Sequence, residues 1–131
     1  MTAGDLNKKF GWIWVIIGPL MGMFMIFKFQ EAAAQGIFQE YAASMTRTGY
    51  RHLHTHSALL AFFNILYGYG LDEIGLADNT KKLGSYLAIA GAILVPLSFV
   101  IGSISDIARL LGFISLVVAI LVMAAGQITK K

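Results

Sequence analysis

The three histidines of the chain fall within five residues, in the run Arg51-His52-Leu53-His54-Thr55-His56-Ser57. Imidazole ligates transition metals and haem iron, and it titrates near neutral pH. On a helix His52 and His56 are four apart and share a face, whereas His54 points elsewhere. That spacing suits one copper, zinc or iron ion. A haem makes a different demand, because its two axial ligands lie on opposite faces of the porphyrin. Two histidines on one helical turn therefore cannot supply both. His56, about one turn deeper than His52, is the expected axial ligand. The second would be a methionine, a histidine from another protomer or subunit, or an open position.

Other residues extend this chemistry. Met21 and Met25 share one face of the first apolar stretch, and thioether plus imidazole can hold haem iron or Cu(I). Met21, Met25, His52 and His56 thus form an alternative copper set, although methionine is also a common filler of apolar cores. Asp106 and Arg109 are three apart, which predicts a local ion pair, with Ser105 or Asp106 capping the helix start. If that pair lies near His56, Arg109 can instead meet a haem propionate through a bidentate contact. A proton relay would need further ionisable groups deeper in the chain. Only Asn64, Tyr67, Tyr86 and scattered serines follow, so a relay stops after one step.

The elements that must position these residues are written in the charge pattern. The chain has 131 residues, 57% hydrophobic and 13% charged, with a mean hydropathy of +0.71. Soluble domains carry about 25% charged residues. Charges are absent from Phe10–Phe27, His52–Leu71, Leu83–Ser105 and Leu110–Thr129. Each stretch approaches the roughly 20 apolar residues that cross a hydrocarbon core. In lipid the backbone must satisfy its own hydrogen bonds, so isolated spans form helices. The expectation is an all-α integral membrane protein, one domain of four transmembrane helices over about 10–29, 51–71, 83–102 and 107–126. Short connections predict an up-down-up-down bundle.

Pro19 is expected to bend the first span, and the third span contains Pro96. The Gln30–Tyr50 connection, rich in Ala, Gln and Glu, reads as helix that extends span 1 or lies on the membrane surface. Gly84, Ala88 and Ala92 make a small-residue stripe for close helix packing. Tyr67-Gly68-Tyr69-Gly70 reads as an aromatic belt at a span end, not as a selectivity filter. The early apolar run is longer than the 7–15 residues of a signal-peptide core and is read as an uncleaved first span.

With four spans, Lys8, Lys9, Lys81, Lys82, Lys130 and Lys131 share one side, against Lys28, Arg47, Arg51 and Arg109 on the other. Six against four places the termini in the cytoplasm. The net charge of +3 and pI near 9.3 would suit nucleic acid. The lysine pairs sit at span ends, however, where they set topology and meet lipid headgroups, so no nucleic-acid partner is expected. The chain has no cysteine, which leaves no disulfide or thiolate metal site.

The run His54-Thr55-His56-Ser57-Ala58-Leu59-Leu60-Ala61-Phe62-Phe63 resembles the second helix of haem-copper oxidase subunit I. It is closer still to small membrane proteins related to that subunit, with a His-x-His-x-x-Leu pattern. The resemblance covers about one span of four and implies that His56 ligates a haem from the outer side of the second span. Subunit I has roughly twelve spans, and its second low-spin ligand and copper ligands come from later helices that have no counterpart here. The resemblance therefore implies a haem-binding bundle, not an oxidase.

Together these readings predict a bacterial or archaeal inner-membrane, multi-pass protein that binds haem b for electron transfer or redox support. It would act as a homo-oligomer or as a subunit of a larger membrane complex. The rivals are a non-catalytic accessory subunit and the copper protein described above. No motif assigns an enzymatic reaction.

Overall fold

In the computed structural model, which describes residues 2–102 and 105–129, regular structure is helical throughout. The helices are α1 (Ala3–Trp14), α2 (Ile17–Ala34), α3 (Phe38–Ala43), α4 (Met45–Glu73), α5 (Asp78–Leu97) and α6 (Ser105–Ile128). Ser103 and Ile104, between the third and fourth expected spans, lie outside the described residues, as do the Ser105 side chain and Lys130 and Lys131 of the charge count.

Local chemistry sets the boundaries. Thr2 and Asp5 form a reciprocal capping box that starts α1 seven residues ahead of the expected span. Pro19 has no N–H to offer the Val15 carbonyl, and the helix breaks at Val15–Ile16, one turn before it. The Gln30–Tyr50 connection is mostly helical, as read from composition. It is interrupted at Gly36, whose φ of +73° suits glycine, and again at Ser44. Ser44 Oγ accepts from the Arg47 N–H to begin α4. The third helix stops at Leu97 rather than near 102. Pro96 removes an N–H from its last turn, and residues 98–100 close in tighter turns through Phe99 N–H to Pro96 O and Val100 N–H to Leu97 O.

Successive long helices run antiparallel. Gly4 faces Gly68, Gly11 faces Ala61 and Gly18 faces Ala58, so α1 and α2 descend one side of α4. α5 returns along α4, from the Tyr67 hydroxyl at Gly84 to the Phe99 carbonyl at Gly49. α6 packs chiefly on α5, with Leu116 at Gly91 and Val95 at Gly112. Gly84, Ala88 and Ala92 are all buried. Among the described residues α1 does not pack against α6, so the helices form an open succession with α4 and α5 at its centre instead of a closed square.

The interior mixes small and polar residues with large apolar ones such as Leu71, Ile74 and Val95, and many other large apolar side chains face out. Ala61, Ala88, Ala92 and Ala119 are fully buried, together with Asn7, Ser57, Asn64 and Ser98. Ile13, Phe27, Leu66, Leu110 and Leu121 are each at least 60% exposed. Two helical stretches, Ala3–Ala34 and Asp106–Ile128, are long and apolar enough to cross a membrane.

One interior contact has a measurable consequence. Asn7 Nδ2 donates to Asn64 Oδ1 at 2.7 Å, and Asn64 Nδ2 donates to the Leu60 carbonyl at 2.9 Å. Asn7 Oδ1 has no protein donor. Asn7→Leu strands Asn64 Oδ1 and is expected to destabilise the protein by about 1–2 kcal/mol. Adding Asn64→Leu should cost less than the sum, with a coupling of about 0.6–1.7 kcal/mol, the range for interhelical polar pairs in membrane proteins. A double-mutant cycle on detergent unfolding curves measures this. Strict additivity would mean that the pair does not hold α1 to α4.

Candidate functional site

The histidine cluster sits in the third and fourth turns of α4, and the helix sends its members to opposite sides. Two residues along a helix is a rotation of about 200°, so His54 diverges from His52 and His56. His54 Nδ1 meets the Gly18 carbonyl at 2.7 Å, and its ring lies against Gly22. A carbonyl oxygen only accepts, so Nδ1 carries the proton there. His54 thus ties α4 to α2 where two glycines leave room for an imidazole.

His52 and His56 face the other way, onto Phe99. The His52 ring stacks on Phe99 with centroids 4.6 Å apart and planes 24° apart. The His56 ring lies 5.0 Å from the same ring and 5.7 Å from His52. Phe99 reaches this position because Gly49 lets the Phe99 carbonyl approach the α4 backbone directly. Arg109 completes the group. Its guanidinium lies 4.7 Å over Phe99, Nε donates to Ser98 Oγ at 3.3 Å, and Nη1 pairs with Asp106 at 3.3 Å. The expected Asp106–Arg109 ion pair is therefore present. Arg109 and His56 share one neighbourhood, with Phe99 between them.

His56 has the geometry of a ligand. Its Nδ1 lies 2.9 Å from the His52 carbonyl, which places the proton on Nδ1 and the lone pair on Nε2. Metal-binding histidines are commonly oriented by such a bond through the nitrogen that does not ligate. His56 is half-buried and His52 exposed. On this face His56 is the imidazole whose Nδ1 is held by a backbone carbonyl.

The copper set divides. Met21 and Met25 lie half-buried on α2, which touches α4 through Gly18 and Gly22 and makes no contact with α5. His52 and His56 lie on the Phe99 side, and the histidine that reaches α2 is His54. Helical rotation explains this: four residues keep two histidines together but turn both away from α2. Among the described residues no group of three or more His, Asp or Glu side chains is placed to hold a metal ion.

Phe99, Ser98 and Gly49 belong to the site and carry no mark in the sequence. Pro96 was the available signal, since a proline near a span end implies a turn that redirects the residues after it.

The two ends of the molecule differ. Lys8 pairs with Asp72 at 2.7 Å, which ties the start of α1 to the end of α4, just before the first turns of α5 that carry Lys81 and Lys82. Lys28, Arg47 and Arg51 lie at the histidine end, where Arg47 covers the Phe29 ring at 5.2 Å. Comparison with family models, curated proteins and solved structures finds no match to this chain.

Proposed function

We propose that this chain is a four-pass membrane protein that presents His56 as an axial ligand to a b-type haem shared with a second protomer or a partner subunit. The observation that carries the reading is the bond from His56 Nδ1 to the His52 carbonyl, which fixes Nε2 as the free nitrogen. The Phe99 ring, 5.0 Å from the imidazole, gives it an apolar setting, and Arg109 over the same ring offers a cation for a propionate. When bound, the haem supplies one-electron redox chemistry. The chain's residues orient the ligand and set the polarity around it.

The membrane part of the proposal rests on how much apolar surface faces out. Exposing so many leucine, isoleucine and phenylalanine side chains while asparagine and serine are buried is unfavourable in water and suits hydrocarbon. α4 and α5 have the length to cross alongside the two more apolar stretches. Their interior faces carry Ser57, Asn64, Ser85 and Ser98, which lower their apolarity without reaching lipid. The pairing of Lys8 with Asp72 beside Lys81 and Lys82 agrees with a lysine-rich cytoplasmic side.

The test is an oxidised and dithionite-reduced spectrum of the detergent-solubilised protein. A Soret band with sharp reduced α and β bands, at about half a haem per chain if two protomers share one, is the expected result. A colourless protein that copurifies with a larger complex would replace this reading with that of an accessory subunit.

A further inference from the structure

At the end opposite the histidines, a chamber of about 400 Å³ opens between Thr2, Ala3, Asp72, Asp78, Lys81 and Lys82. The start of α1, the end of α4 and the first turns of α5 build it. A second cavity of about 70 Å³ shares Thr2, Ala3 and Lys82 with the first and continues along Leu6, Ser85 and Tyr86. Leu6 and Tyr86 lie about one turn further into α1 and α5 than Ala3 and Lys82. The two cavities therefore make one cleft that runs from the polar end down the α1–α5 seam.

The cleft changes character along its length. Its mouth carries both signs of charge. Asp72 is held by Lys8, but among the described residues no ion pair engages Asp78, Lys81 or Lys82. Its foot is a leucine side chain, a largely exposed tyrosine ring and the Ser85 hydroxyl, which already donates to the Ala3 carbonyl at 3.2 Å. Two uncommitted ammonium groups beside one uncommitted carboxylate match an anion joined to a cation. An apolar continuation below them matches a tail.

We propose that this cleft binds one phospholipid whose headgroup joins a phosphodiester to a primary ammonium. Lys81 and Lys82 contact the phosphate, Asp78 accepts from the ammonium, and the first carbons of one acyl chain lie against Leu6 and Tyr86. The proposal rests on the bilayer reading above. Inorganic phosphate shares the anionic chemistry but makes no use of the lower cleft.

The test is native mass spectrometry of the full chain released from detergent. It is loaded in turn with phosphatidylethanolamine, phosphatidylglycerol and phosphatidylcholine of matched acyl chains, and with inorganic phosphate. One retained phosphatidylethanolamine per chain is expected, with Lys81→Gln/Lys82→Gln lowering retention about tenfold. Asp78→Asn should abolish the preference for phosphatidylethanolamine over phosphatidylglycerol. Lys82→Gln alone, at an exposed position, should weaken retention in the same direction if the double variant folds poorly. Equal retention by wild type and the lysine variants overturns the proposal. So does the absence of a preference for the ammonium headgroup, or binding of inorganic phosphate as tight as that of the lipid. Alkaline extraction of membranes separates the two ideas: release of the chain sinks the bilayer reading, whereas a membrane-retained chain indifferent to lipid sinks only the cleft.

Discussion

His56→Ala is expected to remove the reduced α and β bands completely while the helical circular-dichroism signal stays near wild type. The substitution deletes the imidazole on the Phe99 side whose Nδ1 is held by a backbone carbonyl, leaving Nε2 to ligate, and costs the fold little. His56 is half-buried, and its hydrogen bond stays within α4, to the carbonyl one turn earlier. His54→Ala supplies the contrast. That side chain bridges α4 to the Gly18 carbonyl, so its loss should cost about 1 kcal/mol of stability and leave haem content unchanged. His52→Ala keeps the carbonyl that orients His56 but removes the ring stacked on Phe99, and should shift the bands without erasing them. Imidazole added to the His56→Gly protein should restore a low-spin spectrum, since the vacated volume matches the free ligand. A His56→Ala spectrum indistinguishable from wild type would end the axial-ligand assignment.

Features local in the chain were legible from residue types alone, and features that depend on how helices meet were not. The charge-free stretches foretold long helices because a run of apolar residues between lysines has few other solutions. The Asp106–Arg109 pair followed from three-residue spacing, and the divergence of His54 from its neighbours followed from helical rotation. The position of Phe99 did not follow. It depends on where α5 stops after Pro96 and on the single glycine that lets its backbone reach α4. Asn7 was equally hidden. It lies beside Lys8 and Lys9, in a segment that reads as a polar lead-in, yet it is fully buried because α1 starts at Ala3 and lies flat along α4. The division of the copper set has the same origin. A shared face on α2 and a shared face on α4 say nothing about whether those two faces look at each other.

Gly11→Leu is expected to be among the most destabilising single changes in the protein. Gly4, Gly11 and Gly18 recur every seven residues and line the face of the first two helices that meets α4. At Gly11 an added Cβ would lie 2.7 Å from the Ala61 carbonyl oxygen and 2.6 Å from Ile65 Cγ1. The obstacle is backbone on one side, so a rotamer change in α4 cannot relieve it. The helices must separate, and separation takes the Asn7–Asn64 bond and the Lys8–Asp72 pair with it, since both lie within two turns of Gly11. Overpacking of this kind costs about 3 kcal/mol, and loss of the buried asparagine bond adds to it. Gly75→Ala is the matched control, because nothing lies within 4 Å of the position a Cβ would take there. Unfolding in a denaturing detergent series should separate the two variants clearly. The seam and the candidate site should also respond independently. His56, Phe99 and Arg109 are contributed by α4, the turn after α5, and α6, none of which Gly11 touches in that region. Haem content in Gly11→Leu should therefore follow the folded fraction and fall no faster. A Gly11→Leu protein as stable as Gly75→Ala would mean that the first helix does not lie against α4 at this distance.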